Sequence, residues 1–289
     1  MTKPLTRRKF IKRIVGTMFT LLGISSVGYV YAHRIEPSML EINQLEMSHS
    51  LIPIGFNGKK IVQFSDTHLG FQYNLHQLNE LVSTINDFAP DIILFTGDLM
   101  DEPNKFMQIN QLRSILQKLH APLGKYCIYG NHDHGGYGSE IYRDIMESAG
   151  FTVLLNQSVP IHYDRSSKIY LTGIDDRMLG RPDLPLALKN VPSNTFSILL
   201  SHAPDVADDA SQYPVQWQLS GHSHGGQVKI PFLGALVIPP FARIYQEGLY
   251  KIGNNKPLML YVNRGLGTTR LPFRFMAKPE LTVFTLRSF

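Results

Sequence analysis

The chain has 289 residues, 43% of them hydrophobic, which is ample for the core of one large domain or two small ones. Its net charge of +5 is carried by the N-terminus: residues 1–33 hold Lys3, Arg7, Arg8, Lys9, Lys12 and Arg13 and no acid, and the remainder balances 22 bases against 23 acids. A near-neutral body does not indicate a polyanion-binding surface, so no nucleic-acid partner is expected, and the single Cys127 excludes an internal disulfide.

The segment Thr6-Arg7-Arg8-Lys9-Phe10-Ile11-Lys12 resembles the twin-arginine export motif and precedes Ile14–Ala32, nineteen residues without a charge. As a helix that run would be roughly 28 Å long, close to the hydrocarbon thickness of a bilayer. Residues 1–33 are therefore expected to be an export signal, either cleaved near Val30-Tyr31-Ala32 or retained as a membrane anchor. The expected partners are the twin-arginine translocation machinery and the membrane. The expected location is extracytoplasmic.

Residues 34–58 read as a connector and an entry strand, and 59–289 as one α/β catalytic domain. Lys60–Phe64 reads as a strand. Leu75, Leu78, Leu81, Val82 and Ile85 fall at helical spacing before Pro90. The apolar run Ile92–Phe95, between Pro90 and Gly97, reads as a strand buried on both faces, which requires a sheet covered by helices. A helix follows from Phe106 to Leu119, then a strand over Tyr126–Tyr129. The later half is richer in strands: Lys168–Thr172, Phe196–Leu200, Val215–Leu219, Gln227–Ile230, Leu258–Val262 and Leu281–Leu286.

Polar clusters follow these strands, where open α/β sheets place their chemistry. Asp66 and His68 follow the first as Asp-x-His, and a period-two backbone would point both the same way. Gly97-Asp98-x-x-Asp101 follows the second, Gly130-Asn131-His132-Asp133 the third, His202 the strand ending at Leu200, and Gly221-His222-Ser223-His224 the strand ending at Leu219. Each cluster alone is ordinary turn chemistry. In this order, each after a strand, they resemble the motif series of the calcineurin-like metallophosphoesterases, and with the leader and the block Tyr261–Gly267 they are most similar to its exported, membrane-linked YkuE/YaeI branch.

The resemblance implies a four-layer α/β/β/α sandwich of two mixed sheets flanked by helices. It implies one divalent ion held by Asp66, His68 and His224 and a second by Asn131, His202 and His222, with Asp98 bridging. Mixed oxygen and imidazole donors without thiolate suit Mn, Fe or Zn. The implied reaction is phosphoester hydrolysis by a hydroxide bridging the two ions, with His132 protonating the leaving oxygen and Asp101 holding His132. His134, Gly135, Gly136 and Gly138 read as a flexible rim. Arg264 and Arg270 are the main candidates to grip the substrate, with Arg177 a lesser one. The apolar runs Ile230–Phe241 and Leu271–Phe275 suit a lipid chain or a membrane surface, although core packing explains such runs more often. A phosphodiester is the expected substrate. A pyrophosphate in a lipid-linked nucleotide sugar and a non-catalytic metal-binding scaffold are the alternatives.

Overall fold

A computed structural model describes residues 7–135, 138–254 and 257–289. Helix α1 (Arg7–Val30) continues into one π turn, Tyr31–Ile35, and a 3-10 turn, Glu36–Ser38. The strands are β1 (Glu41–Ser48), β2 (Lys60–Phe64), β3 (Ile92–Phe95), β4 (Lys125–Cys127) and β5 (Phe151–Val153), interleaved with α2 (Leu75–Asp87), α3 (Ile109–Leu116), α4 (Asn131–His134) and α5 (Ser139–Ser148). After them come β6 (Gln157–His162), β7 (Lys168–Gly173), α6 (Leu184–Leu188), β8 (Ser197–Leu200), α7 (Ala207–Ala210) and β9 (Trp217–Ser220). The chain closes with a small hairpin, β10 (Lys229–Ile230) and β11 (Gly234–Ala235), and with β12 (Gly248–Ile252), β13 (Leu258–Val262) and β14 (Glu280–Arg287).

Two six-stranded mixed sheets result, ordered β1-β14-β2-β3-β4-β5 and β12-β13-β9-β8-β7-β6. Strand periodicity divides the core into layers. In β3, Ile93 and Phe95 face the helices α2, α3 and α5, whereas Ile92 and Leu94 meet Ile198, Leu200 and Leu219 of the second sheet. In β8, Leu199 points the other way, into the layer of α6 and α7. These are the four layers of the sandwich, and each large side chain removed from water between them contributes about 1.5–3 kcal/mol. Helix α2 starts at a capping box: Asn74 accepts the amides of His76 and Gln77, and Gln77 accepts the amide of Asn74.

The segment 34–58 does more than connect. Its strand β1 pairs in parallel with β14 over eight residues and forms the edge of the first sheet. The turn after α1 is also stitched to the domain: Arg274 N donates to Ala32 O at 2.9 Å, and Ala277 N donates to the buried Glu36 carboxylate at 2.7 Å. Among the described residues no helix is long and apolar enough to cross a membrane. Glycines and hydroxyl side chains dilute the hydropathy of the uncharged Ile14–Ala32 run. The strand expected over Gln227–Ile230 shrinks to a two-residue arm of the hairpin, because Gln227 is in the left-handed region (φ 53°) and Pro231 has no amide to extend the ladder.

Candidate metal centre

Strands β2, β3 and β4 run parallel, so their carboxyl ends come side by side at one rim of the first sheet; β8 and β9 do the same in the second. The two rims adjoin, and all seven sequence-predicted ligand residues sit on them. Beneath the site the sheets are joined by Gln63, whose amide donates to Thr96 Oγ1 on one side and Ser220 O on the other, both at 3.1 Å. The convergence of Asp66 and His68 does not come from an extended backbone. Strand β2 ends at Phe64, and Asp66 and His68 have φ of 51° and 43°. Asp98, His222 and His224 are also left-handed, at 60°, 69° and 52°. Strained conformations of this kind, held by surrounding structure, concentrate at functional sites. Glycines permit the closest approaches: a Cβ at Gly221 would lie 2.2 Å from Asp66 Oδ2, and one at Gly130 2.2 Å from Asp98 Oδ1.

The donor atoms form overlapping groups. Asp66, His68 and His224 make one, Asp98, His202 and His222 a second, and His68, Asp98 and His132 a third, with the atoms of each group within 4.8 Å of one another. Asp98 Oδ2 lies 3.4 Å from His68 Nε2 and 3.3 Å from His202 Nε2, between the first two groups. His68 Nε2 and His224 Nε2 face each other at 3.0 Å. Asn131 presents a buried Oδ1 without a hydrogen-bond partner, and His202 a buried Nε2 without one. Such orphaned lone pairs are costly unless a cation meets them, so these residues fit a two-cation centre.

The other ring nitrogens are already committed, which fixes the direction of each lone pair. His202 Nδ1 donates to Thr96 O at 2.7 Å and His222 Nε2 to Pro240 O at 2.8 Å, leaving Nε2 and Nδ1 respectively for the site. Burial, helped by the charge of His202, pushes His222 down to about 3, and burial with the neighbouring His68 and Arg274 pushes His224 well below its ordinary value. Both rings are thus neutral donors. Burial opposes the charge on Asp98, but His202 and His132 outweigh it and hold that carboxyl well below its usual range.

Asp101 acts differently from expectation. Its carboxylate takes His68 Nδ1 at 3.1 Å and the hydroxyl of Thr269 at 2.8 Å; it is the backbone carbonyl of Asp101 that accepts His132 Nδ1, at 2.8 Å. The carboxylate therefore orients His68 and stands 3.6 Å from His132 Nδ1, whose hydrogen bond goes to the main chain. Burial works against a charged His132, yet Asp98 and the Asp101 carbonyl prevail and raise its pKa above the ordinary value.

The sequence profile of the calcineurin-like phosphoesterases matches residues 59–226. The chain belongs to that family. It is 47% identical to the metallophosphoesterase YkuE of Bacillus subtilis (strain 168) over 99% of both chains. It is 28% identical to the phosphodiesterase YaeI of Escherichia coli (strain K12), covering 98% of this chain and 99% of that one, and 28% identical to the UDP-2,3-diacylglucosamine pyrophosphatase LpxG of Chlamydia trachomatis serovar D, covering 93% and 95%. Among solved structures, TT1561 of Thermus thermophilus aligns with a TM-score of 0.46 at 13% identity, over 72% of this chain and 90% of that one.

In this calcineurin-like phosphoesterase the rim opens into a cavity of about 310 Å³, with Asp98, Asn131 and His132 on its polar side and Val228, Leu236 and Leu271 on its apolar side. Arg270 lies on its wall, in the left-handed region at φ 62°. Arg264 does not reach the cavity. Its guanidinium is consumed by Glu280 at 2.7 Å and Glu41 at 3.1 Å, so it is part of the scaffold and not a substrate grip. Arg177 lies 5.3 Å over the ring of Phe241. The rim at His134 is pinned: Nδ1 pairs with Ser139 Oγ and Nε2 with Asp175 Oδ1, each at 2.7 Å, while Gly136 lies outside the described residues. Two residues without an assigned role in the motifs matter here. Asp133 accepts three backbone amides of the ligand loops, and Arg274, fully buried, donates to the carbonyls of Arg264, Gly267 and Ala277 directly behind His224. A buried arginine has no periodicity signal. It was visible only as one more base in a proline-rich run.

Proposed function

We propose that this chain is a two-metal hydrolase of phosphodiesters. The observation that carries the reading is Asp98 Oδ2, set at nearly equal distance from His68 Nε2 and His202 Nε2, one from each donor group. Asp66, His68 and His224 would hold one cation and Asn131, His202 and His222 the other, with Mn, Fe or Zn suited to this donor set. When bound, such a pair neutralises phosphoryl oxygens and makes water nucleophilic near neutral pH.

The chain's own residues supply the rest. His132 donates Nδ1–H to Asp101 O, which leaves Nε2 on the cavity side to hold the proton required by the departing oxygen. Its backbone amide donates to Asp98 Oδ1 at 2.8 Å, tying the acid to the bridging carboxylate. With Arg264 held by its acids, Arg270 is, among the described residues, the one arginine that lines the cavity, so a doubly charged monoester would find little compensation beyond the metals. A diester brings one charge and a second substituent that fits the apolar wall. The names of YaeI, a phosphodiesterase, and LpxG, a pyrophosphatase of a diacylated nucleotide sugar, support a diester or pyrophosphate linkage with an apolar substituent. Elemental analysis with turnover of matched chromogenic mono- and diesters tests this: two ions per chain and a diester preference are expected. A tenfold advantage in kcat/KM for the monoester, about 1.4 kcal/mol of transition-state preference, defeats it.

The leader supports export by the twin-arginine route, with residues 1–33 cleaved or kept as an attachment to the membrane. Replacing Arg7 and Arg8 by Lys should retain the protein in the cytoplasm, because the signal is read by a receptor and not as bulk charge. Undiminished export of that variant removes the reading.

A further inference from the structure

The hairpin β10–β11 carries its apolar side chains outward. Phe232 is fully exposed, Leu233 is 81% exposed, and Leu236, Val237 and Ile244 are each more than half exposed. Leu271 and Met276 lie open on the neighbouring loop. Isolated apolar residues on a surface need no explanation, but a contiguous set rimmed by polar residues marks an interaction surface.

This set forms one unit and is rooted in the metal centre. The hairpin leaves directly from the His222–Gln227 loop, and a Cβ at Gly226 would lie 2.2 Å from the Cβ of Ala235, so hairpin and loop are in close contact. Gln227 takes the Thr269 amide and donates to the carbonyls of Thr269 and Leu271; Lys229 N donates to Phe275 O, and Phe275 N to Gln227 O. The apolar wall of the cavity is the inner edge of this surface: Leu236, Val237 and Leu271 line the cavity and are also exposed outside. The exit of α1 reaches the same loop, where Tyr29 and Tyr31 meet Phe273 and Phe275 edge to face.

Charge selects the occupant. Residues 210–246 contain no Asp or Glu, and neither do residues 265–279; of their bases Arg274 is buried, Lys229 is paired with Glu247 and Lys278 lies 3.9 Å from Glu41, which leaves Arg243 and Arg270 as the cations offered outward. Both are exposed; Arg270 lies on the cavity wall next to Leu271, and Arg243 adjoins the exposed Ile244. Apolar side chains at the centre with cations at the rim complement an anionic phospholipid surface, with acyl chains below and phosphates at the edge.

We propose that the hairpin tip around Phe232 and Leu233, with the 270–276 loop, seats in the interface of an anionic bilayer, so that the cavity opens onto the membrane and takes a phosphoester whose apolar substituent stays in the lipid. The second half rests on the phosphoesterase reading above; the docking surface does not. Phe232 and Leu233 are outside the cavity lining, which allows the two to be separated.

The test uses the full chain and sedimentation with vesicles of phosphatidylcholine containing a third phosphatidylglycerol, compared with the F232S/L233S variant. Wild type should partition at least tenfold more strongly than the variant, and the difference should shrink on pure phosphatidylcholine. A second variant, Phe232→Trp, reports locally: adding vesicles should shift its emission to the blue by more than in wild type, whose Trp217 is buried. Equal partitioning of wild type and F232S/L233S, or no extra shift in F232W, overturns the docking surface. So does light scattering that shows a dimer dissolved by F232S/L233S with vesicle binding unchanged, since the surface would then meet a second copy of the chain. For the substrate half, metal-loaded F232S/L233S should hydrolyse a soluble chromogenic diester at the wild-type rate and a vesicle-borne phosphodiester lipid at least tenfold more slowly. Loss on both substrates, or on neither, overturns that half. Vesicle binding by a metal-loaded chain that turns over no phosphoester leaves docking in place and removes the phosphoesterase reading.

Discussion

The side chain of Asp133 accepts the backbone amide of Asp98 at 2.8 Å. The same oxygen takes the amide of Gly130 at 2.8 Å, and the other takes that of Leu99 at 3.0 Å. One buried carboxylate thus ties the loop of Asp98 to the loop that carries Asn131 and His132. Burial and the charge of Asp98 push the Asp133 carboxyl up to about 7 against the pull of the amides, so the arrangement is kept at some electrostatic cost. In Asp133→Asn one acceptor becomes a donor facing an N–H. Each buried amide left unpaired costs about 1–3 kcal/mol. A lower midpoint in urea and weaker metal retention are expected together. An unchanged midpoint would show that the amides find other partners.

His132 and Asp98 should separate chemistry from metal binding. His132→Ala is expected to keep its metals and lose roughly 10²- to 10⁴-fold in rate, the usual worth of a positioned acid or base. Asp98→Ala is expected to lose both ions, because the two cations would then repel with less negative charge between them. Elemental analysis of each variant with its turnover decides. Metal loss in His132→Ala would make that ring a ligand, as its place in the third donor group allows.

The strand ends that gather the donor residues were legible because two signals coincide there: a short apolar run buried on both faces, and a glycine-flanked polar cluster directly after it. Ile92–Phe95 followed by Gly97-Asp98 is the clearest case. The edge strands β6 and β12 and helix α5 were not. Strands β6 and β12 are half-exposed, and β6 carries Pro160, which a central strand would not tolerate. Helix α5 has a buried stripe at Tyr142, Ile145 and Met146, but it follows a glycine-rich loop that draws attention to function instead. The partners of Arg264 and Asp101 were not legible, for one common reason. A charged group near a site has several possible partners, and spacing along the chain does not say which one it meets.

Arg264 belongs to a buried network, and its removal should therefore affect stability before catalysis. Glu280 is 1% exposed and accepts Arg264 Nε, the hydroxyl of Tyr261 and the hydroxyl of Thr282. Arg264→Met would leave that carboxylate short of its cation, and breaking a buried pair from one side costs roughly 3–5 kcal/mol. The hydroxyls temper this toward the lower end. Chemical denaturation should show the loss, with KM for a diester within twofold of wild type. A large rise in KM at unchanged stability would return Arg264 to the substrate site.

The last prediction concerns pH and the His134–Asp175 pair, which joins the loop after β4 to the loop after β7 and so spans the two sheets. Burial disfavours the charged imidazole, but the Asp175 hydrogen bond and charge outweigh it and raise His134 above its ordinary 6.5. Burial likewise opposes the Asp175 carboxylate, and the bond from His134 with the amides of Arg181 and Asp176 outweighs it, lowering that carboxyl below 3.8. The raised histidine contributes stability that is complete below pH 6.5 and is lost as pH rises through its folded-state pKa. The depressed aspartate contributes stability that is complete above pH 3.8 and is lost as pH falls through its own. The pair is therefore strongest between those limits, where protonated His134 donates from Nε2 to Asp175 and from Nδ1 to Ser139. A hydrogen-bonded pair of this kind is worth on the order of 1–3 kcal/mol. Relative to wild type, His134→Gln should lose most stability near pH 5 and progressively less toward pH 9, by urea denaturation at each pH. A difference that is flat over that range, or that grows with pH, would mean that the ring is neutral in the folded protein and that it meets Asp175 through an uncharged donor.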